Sequence, residues 1–182
     1  MKRYWSVVLL FLMMTGLAGI ARAQVGIYGA FTTGKLNTPN TPWLYGGTGG
    51  IYKDHGHGLV ALGFDARGEF LHQGGNAGSG SDTTLGSGLV GIRFAVTPHV
   101  LPLKPYAEGL IGVGHIAVGE GFARTSSTNF EYKVLGGMDY TFFPRLDWRV
   151  VEFGYTGLAN HDLDVRTKTL STGLVFRLPF VR

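Results

Sequence analysis

The 182-residue chain carries 16 Lys and Arg, 12 Asp and Glu, 30 Gly and no Cys. Without cysteine it has no disulfide framework, thiol nucleophile or thiolate metal site. Charged residues make up 15% of the chain, short of the ~25–35% that a soluble domain's surface alone carries. Glycine so far above its ordinary ~7% works against helix, and no helical period is visible after residue 23. The chain reads as all-β.

Lys2 and Arg3 give a positive start, Val7 to Ile20 is largely apolar, and Ala21-Arg22-Ala23 supplies a small-x-small cleavage site. This is the layout of a secretory signal peptide, and the apolar run is short for a membrane-spanning helix. Residues 1–23 are therefore expected to be cleaved off between Ala23 and Gln24, leaving residues 24–182 as one β-barrel domain. No Cys follows that point, so lipoprotein anchoring is not supported. Lys2, Arg3 and Arg22 all lie in the leader, which holds no acid. The remainder is close to charge-balanced, and a nucleic-acid partner is not implied.

Eight stretches then show strand character: Val25 to Phe31, Trp43 to Lys53, Gly58 to Leu71, Leu85 to Thr97, Leu103 to Val118, Phe130 to Phe143, Trp148 to Leu158 and Thr167 to Phe180. In the third, Val60, Leu62, Phe64, Ala66, Gly68 and Phe70 alternate with Asp65, Arg67 and Glu69. In the sixth, Phe130, Tyr132, Val134, Gly136, Met138, Tyr140 and Phe142 share one face, against Glu131, Lys133, Gly137, Asp139 and Thr141. The last sets Leu170, Leu174, Phe176, Leu178 and Phe180 against Ser171, Gly173 and Arg177. A period of two is what a strand imposes on its side chains. Prolines fall between stretches or at their ends, where a missing N–H costs no ladder bond.

Connections alternate in length. Those after the second, fourth and sixth stretches are short to moderate: Asp54-His55-Gly56-His57, the Pro98 segment and Pro144-Arg145-Leu146-Asp147. Those after the first, third, fifth and seventh are longer and rich in Gly, Ser, Thr and Asn: Thr32 to Pro42, His72 to Thr84, Gly119 to Asn129 and Ala159 to Arg166. Short turns at one rim, long loops at the other and aromatics near strand ends form the pattern of an outer-membrane barrel. Both termini then lie at the short-turn, periplasmic rim. A soluble lipocalin-like barrel alternates too, with its apolar face inward, and periodicity alone does not separate the two. Low charge, the aromatic pattern and the export signal favour the membrane form, an eight-stranded antiparallel up-and-down transmembrane β-barrel.

With the apolar face outside, the inward set is Asp65, Arg67, Glu69, Arg93, Glu108, Glu131, Lys133, Asp139, Glu152 and Arg177. Eight strands enclose a lumen just wide enough for side chains to fill, and buried charges persist only when paired. Internal salt-bridge networks are expected rather than an open channel. Gly112-x-Gly114-x-x-Ala117 matches a dinucleotide fingerprint but no helix follows it. His55-x-His57 lacks further local ligands for a metal. No cofactor, metal or catalytic set is expected.

Ser171-x-Gly173-x-x-Phe176-x-Leu178, with Phe180, resembles the C-terminal assembly signal of outer-membrane barrels. Together with the leader, the Gly-rich PYAEGLIGVG stretch and the terminal STGLVFRLPF, it makes the whole mature chain resemble the small outer-membrane β-barrels of the OmpA-like, OmpX-like and opacity-protein group. Val181 and Arg182 after Phe180 depart from that group's aromatic end. The resemblance implies assembly by the outer-membrane barrel insertion machinery, with outer-membrane lipid and lipopolysaccharide as neighbours. It implies a non-enzymatic role, with four long external loops serving envelope structure, adhesion or an unknown loop ligand. Three alternatives stand beside it: a lipid A deacylase-like enzyme, a narrow pore and a soluble periplasmic lipocalin-like binder. Asn160-His161-Asp162 has Leu163 where the deacylase family has its Ser. Ser171 is the remaining candidate, and an activated Ser needs a base within hydrogen-bond reach.

Overall fold

The computed structural model describes residues 22–37, 43–57, 59–73, 82–98, 101–120, 123–159 and 165–178. The strands are β1 (Arg22–Leu36), β2 (Leu44–His57), β3 (Val60–Gln73), β4 (Asp82–Val96), β5 (Leu103–Glu120), β6 (Ala123–Phe143), β7 (Leu146–Ala159) and β8 (Val165–Arg177). They pair antiparallel in chain order, and β1 meets β8 from Gly26↔Arg177 to Leu36↔Thr167, closing the barrel. Closure removes every open edge along the wall, the condition for placing a sheet in lipid. β1 includes Arg22 and Ala23, paired with Gly56 and His55, so it starts just ahead of the expected cleavage point.

The period of two sorts the side chains. On β3 every second residue from Ala61 to Leu71 is buried and its neighbours are exposed. The outer face carries Ile27, Phe31, Phe64, Val90, Ile92, Val113, Val134, Phe153 and Leu174, with Phe64 70% and Val134 60% exposed. An apolar side chain of this size left in water forgoes ~1.5–3 kcal/mol of transfer free energy. A continuous belt of them is stable only against hydrocarbon. The lumen holds the opposite set: Asp, Glu, Arg, Lys, Thr and Ser, with three small apolar clusters. This arrangement is the inverse of the lipocalin-like alternative.

Several boundaries differ from the sequence reading. The Asp54 to His57 segment, expected as a turn, continues β2, because Asp54 pairs with Gln24 and Gly63 and its carboxylate faces Arg93. The Gly119 to Asn129 segment, expected as a long loop, is almost wholly strand, with only 121–122 between β5 and β6. Its Ser and Thr residues find β-formers opposite them, Val118↔Thr125 and Ile116↔Ser127, and His115 and Thr128 share a hydrogen bond. The rim expected to carry four long loops therefore has three longer connections, 37–43, 74–81 and 160–164. The other rim has 58–59, 97–102 and 144–145. β8 ends at Arg177 rather than Phe180, with the Leu178 N–H donating to Val25 O. Phe180, His161 and residues 1–21 lie outside the described residues.

One irregularity governs the interior. Val150 is an extra residue in β7: the β6 pairing passes from Met138↔Val151 to Asp139↔Arg149, and the β8 pairing slips between Arg149 and Glu152. Such a β-bulge re-aims the side chains on either side of it. Arg149 and Glu152, of opposite parity, both point inward and are 1% and 3% exposed.

Interior glycines face the bulkiest lumen residues. A Cβ on Gly137 would meet the Tyr106 ring at 2.5 Å, and one on Gly26 would run into Tyr52. Tyr106 cannot swing aside, because Arg93 and Arg149 stack on it. Gly137→Val is expected to prevent the folded barrel from forming. Gly136→Ala, on the outer face with nothing nearer than 3.7 Å, should leave it intact. Gel mobility of unboiled against boiled protein reads both; a folded Gly137→Val barrel would contradict this packing.

Candidate functional site

Three arginines at mid-lumen organise the charges. Arg93 binds Glu108 (Nη1–Oε1 2.5 Å), Asp139 (3.3 Å) and Asp54 (3.4 Å). Arg67 binds Glu108 (2.5 Å), Glu152 (2.8 Å) and Asp65 (3.2 Å). Arg149 binds Glu152 (3.0 Å) and Asp139 (3.1 Å). Followed round, Arg93–Glu108–Arg67–Glu152–Arg149–Asp139 returns to Arg93, a closed ring of alternating sign drawn from β3, β4, β5, β6 and β7. The ring engages all three nitrogens of Arg67 and Arg93 and two of Arg149, whose Nη2 has no partner among the described residues; such forked contacts are the geometry in which arginine outperforms lysine.

Tyrosines complete it. Tyr28 donates to both Asp65 oxygens at 3.0 Å, and Tyr106 donates to Glu152 at 2.6 Å. The Arg149 guanidinium lies between the rings of Tyr28 (4.2 Å) and Tyr106 (4.8 Å). Arg93 lies between Tyr106 (3.8 Å) and Tyr52 (4.3 Å). Cation–π contacts of this kind gain strength when desolvated, and here the three arginines are at most 4% exposed.

Above the ring, Lys133 binds Glu69 at 2.5 Å, and Thr48 donates to the same Glu69 oxygen at 3.1 Å. Thr32 links Thr48 (2.7 Å) to Ser171 (2.9 Å). Ser87 donates to Glu131 at 2.6 Å, while the other Glu131 oxygen has no partner among the described residues. Leu36, Leu44, Leu71, Leu85 and Leu158 then pack across the lumen at the longer-loop end, with Ile116 against them. Below the ring, Asp147 receives Lys104 and Arg177 at 3.0 Å each.

Of the sequence-derived inward set, six residues meet in the ring cluster (Asp65, Arg67, Arg93, Glu108, Asp139, Glu152). Glu69 and Lys133 form a separate pair, Glu131 sits with Ser87, and Arg177 lies partly exposed near the opposite rim. The sequence reading omitted Arg149, Asp54, Asp147, Lys104 and the three tyrosines. Lys104 and Tyr106 share Glu108's phase, which could have found them; Arg149 had no such signal, because the bulge breaks the phase.

The other motifs resolve simply. Ser171 faces the lumen and holds Thr32, on the side of the wall away from lipid acyl chains. Gly173 lies on the same face of β8, and Phe176 and Leu178 face outward. His55 is exposed on the outer wall, and the His57 side chain is outside the described set. Gly112 to Ala117 is continuous strand.

No family model matches the chain, and no curated protein matches it. Among solved structures, Neisserial surface protein A aligns at TM-score 0.59 and 17% identity, covering 86% of this chain and 97% of that one. The fold is that of the small outer-membrane β-barrels. A major outer membrane protein of Thermus thermophilus gives TM-score 0.59 at 11% identity, with 86% and 99% covered. Ail, the attachment invasion locus protein of Yersinia pestis, gives 0.53 at 16%, with 86% and 97% covered. Identities this low make the likeness one of architecture, and function has to be argued from the residues.

Proposed function

We propose that the protein is a non-enzymatic integral barrel of the outer membrane, held rigid by a plugged lumen. It presents its longer connections outside for envelope structure, adhesion or partner binding. The closed Arg–carboxylate ring is the observation that carries this reading. A water path needs a gap between side chains, whereas here three guanidiniums and their counter-charges interlock across a lumen only eight strands round. The leucine layer closes the longer-loop end a second time. Ion transit would have to pull apart ion pairs in a medium that does not replace them.

An acyl-transfer role finds less support. It requires an activated hydroxyl on the lipid side of the wall, and Ser171 is on the other side. The attachment role in Ail's name is compatible with a barrel of this architecture working through its outer rim. Insertion machinery and lipopolysaccharide remain the partners that this location calls for.

Planar-bilayer recording tests the reading. The purified barrel is expected to give no discrete conductance steps, and stable single-channel steps from the heat-modifiable, folded form would overturn it. Release of fatty acid from lipid A by the same preparation would overturn the non-enzymatic part separately.

A further inference from the structure

The lipid-facing wall is not uniform. Over β6 to β8 its in-register neighbours are bulky, as in Val134↔Tyr155 and Phe153↔Leu170. Over β2 to β5 the outward row Ile51↔Ala66↔Val90↔Ile111 has a single methyl at its second position. The next outward row towards the longer-loop rim, Gly49↔Gly68↔Gly88, has no side chain before Val113. A Cβ on Gly88 would meet nothing within 4 Å, and one on Gly49 or Gly68 only a backbone oxygen at 3.6 or 3.8 Å. The row on the other side, Lys53↔Phe64↔Ile92, is large again. An apolar trough of about 550 Å³ results, with Ala66 as its floor and Ile51, Phe64, Val90 and Ile111 as its sides.

Lys53 lines the same trough at the end nearer the short-connection rim. His55 is the next outward residue along β2, and both are exposed. Among the described residues no acid shares that outer face: Asp54, Asp139 and Asp147, the acids nearest this rim, are buried in the lumen. The one exposed acid, Asp82, begins β4 at the opposite rim. On β6 to β8 the outward residues near this rim are aromatic instead, Tyr140, Phe142, Trp148 and Phe176. From Lys53 to Gly49 the strand covers ~13 Å at ~3.3 Å per residue. One leaflet's half of the hydrocarbon core is ~15 Å deep. A base at headgroup level, with a trough of that depth running inward from it, has the outline of one phospholipid molecule.

The geometry points to a site for one phospholipid of net negative charge from the periplasmic leaflet, its phosphate on Lys53 and His55 and one acyl chain laid over Ala66 and Gly68. A lysine at this level can keep its stem against the apolar wall and its ammonium among the headgroups. Its charge-assisted hydrogen bond to a phosphate oxygen is stronger beside a low-dielectric wall than in bulk water. A zwitterionic lipid brings its own cation to the same place, so Lys53 favours a headgroup of net negative charge. The trough separates this site from ordinary contact with surrounding lipid. On the bulky β6 to β8 side a chain meets only side-chain tips, whereas here it lies in the wall. The site rests on the outer-membrane reading only for which leaflet supplies the lipid.

Native mass spectrometry of the detergent-solubilised full barrel tests it independently of orientation. The probe is phosphatidylglycerol, with phosphatidylcholine of the same acyl chains and glycerol 3-phosphate as comparisons. The wild type is expected to retain phosphatidylglycerol at least fivefold better than phosphatidylcholine, and to show no adduct with glycerol 3-phosphate at equal concentration. Lys53→Gln/His55→Gln should lose that preference, while Lys35→Gln, an exposed base at the opposite rim, keeps it. Ala66→Phe fills the trough and should lower phosphatidylglycerol retention at least fivefold. All these side chains are on the outside, and heat modifiability checks that each variant is folded. Equal retention of both lipids by the wild type, or an unchanged preference in Lys53→Gln/His55→Gln, would overturn the proposal. So would full retention by Ala66→Phe, or a lipid-free dimer that Ala66→Phe abolishes, which would give the trough to a second copy of the chain.

Discussion

Arg93→Ala is expected to lower the unfolding free energy of the barrel by ~3–5 kcal/mol, the usual penalty for removing one partner of a buried ion pair. Asp54 would lose its arginine outright, and Glu108 and Asp139 would each keep one of their two, Arg67 and Arg149, in a ring now open. Tyr52 and Tyr106 would lose the cation between them. Arg93→Lys should recover only part of the loss, since an ammonium cannot fork to Glu108 and Asp139 together or stack on a ring. Urea unfolding in lipid vesicles, followed by tryptophan fluorescence and by the temperature of the gel-mobility shift, measures both variants. An Arg93→Ala midpoint equal to wild type would mean the ring does not hold the barrel together.

The second large effect belongs to the outer face. Val134 lies in the belt on β6, with Phe130 and Tyr132 towards one rim and Tyr140 and Phe142 towards the other, and it is 60% exposed. Val134→Arg should cost ~2–4 kcal/mol, the penalty for an arginine near the bilayer midplane. In a soluble barrel the same change at a position this exposed would be nearly neutral. The sign therefore discriminates the two environments, and the same unfolding assay reads it. Val134→Leu serves as the control and should match the wild type.

β3 shows why so much of the fold was legible in the residues. Its apolar and charged positions alternate without interruption, so Asp65, Arg67 and Glu69 could be assigned to one face before any pairing was known. Closure followed from the apolar face of β8 and its need for a partner. Legibility failed where pairing overrides local composition. Gly119 to Asn129 looks like a loop by content, yet each Thr and Ser there sits opposite a strand partner. Asp54 looks like a turn residue, yet its backbone is held on both sides by β1 and β3. Arg149 was hidden for a different reason, the single extra residue Val150, which shifts the phase and leaves no compositional trace. The ring itself could not be read at all. Its closure depends on which of the inward charges lie at one height, and that follows from the strand stagger of the closed barrel rather than from any one strand.

The central claim is that even-numbered β6 residues from Phe130 to Phe142 face lipid while the odd-numbered ones from Glu131 to Asp139 fill a sealed lumen. The chain has no cysteine, so single cysteines can be introduced and spin-labelled without background. Electron paramagnetic resonance of the barrel in lipid vesicles, scanned from Phe130 to Phe142 with oxygen and a water-soluble nickel chelate as relaxants, tests the claim most directly. Labels at Tyr132, Val134, Gly136 and Tyr140 should be relaxed by oxygen and untouched by the chelate, and a label at Leu135 should be shielded from both. Chelate access at Val134 would contradict the membrane-facing belt, and chelate access at Leu135 would contradict the sealed lumen.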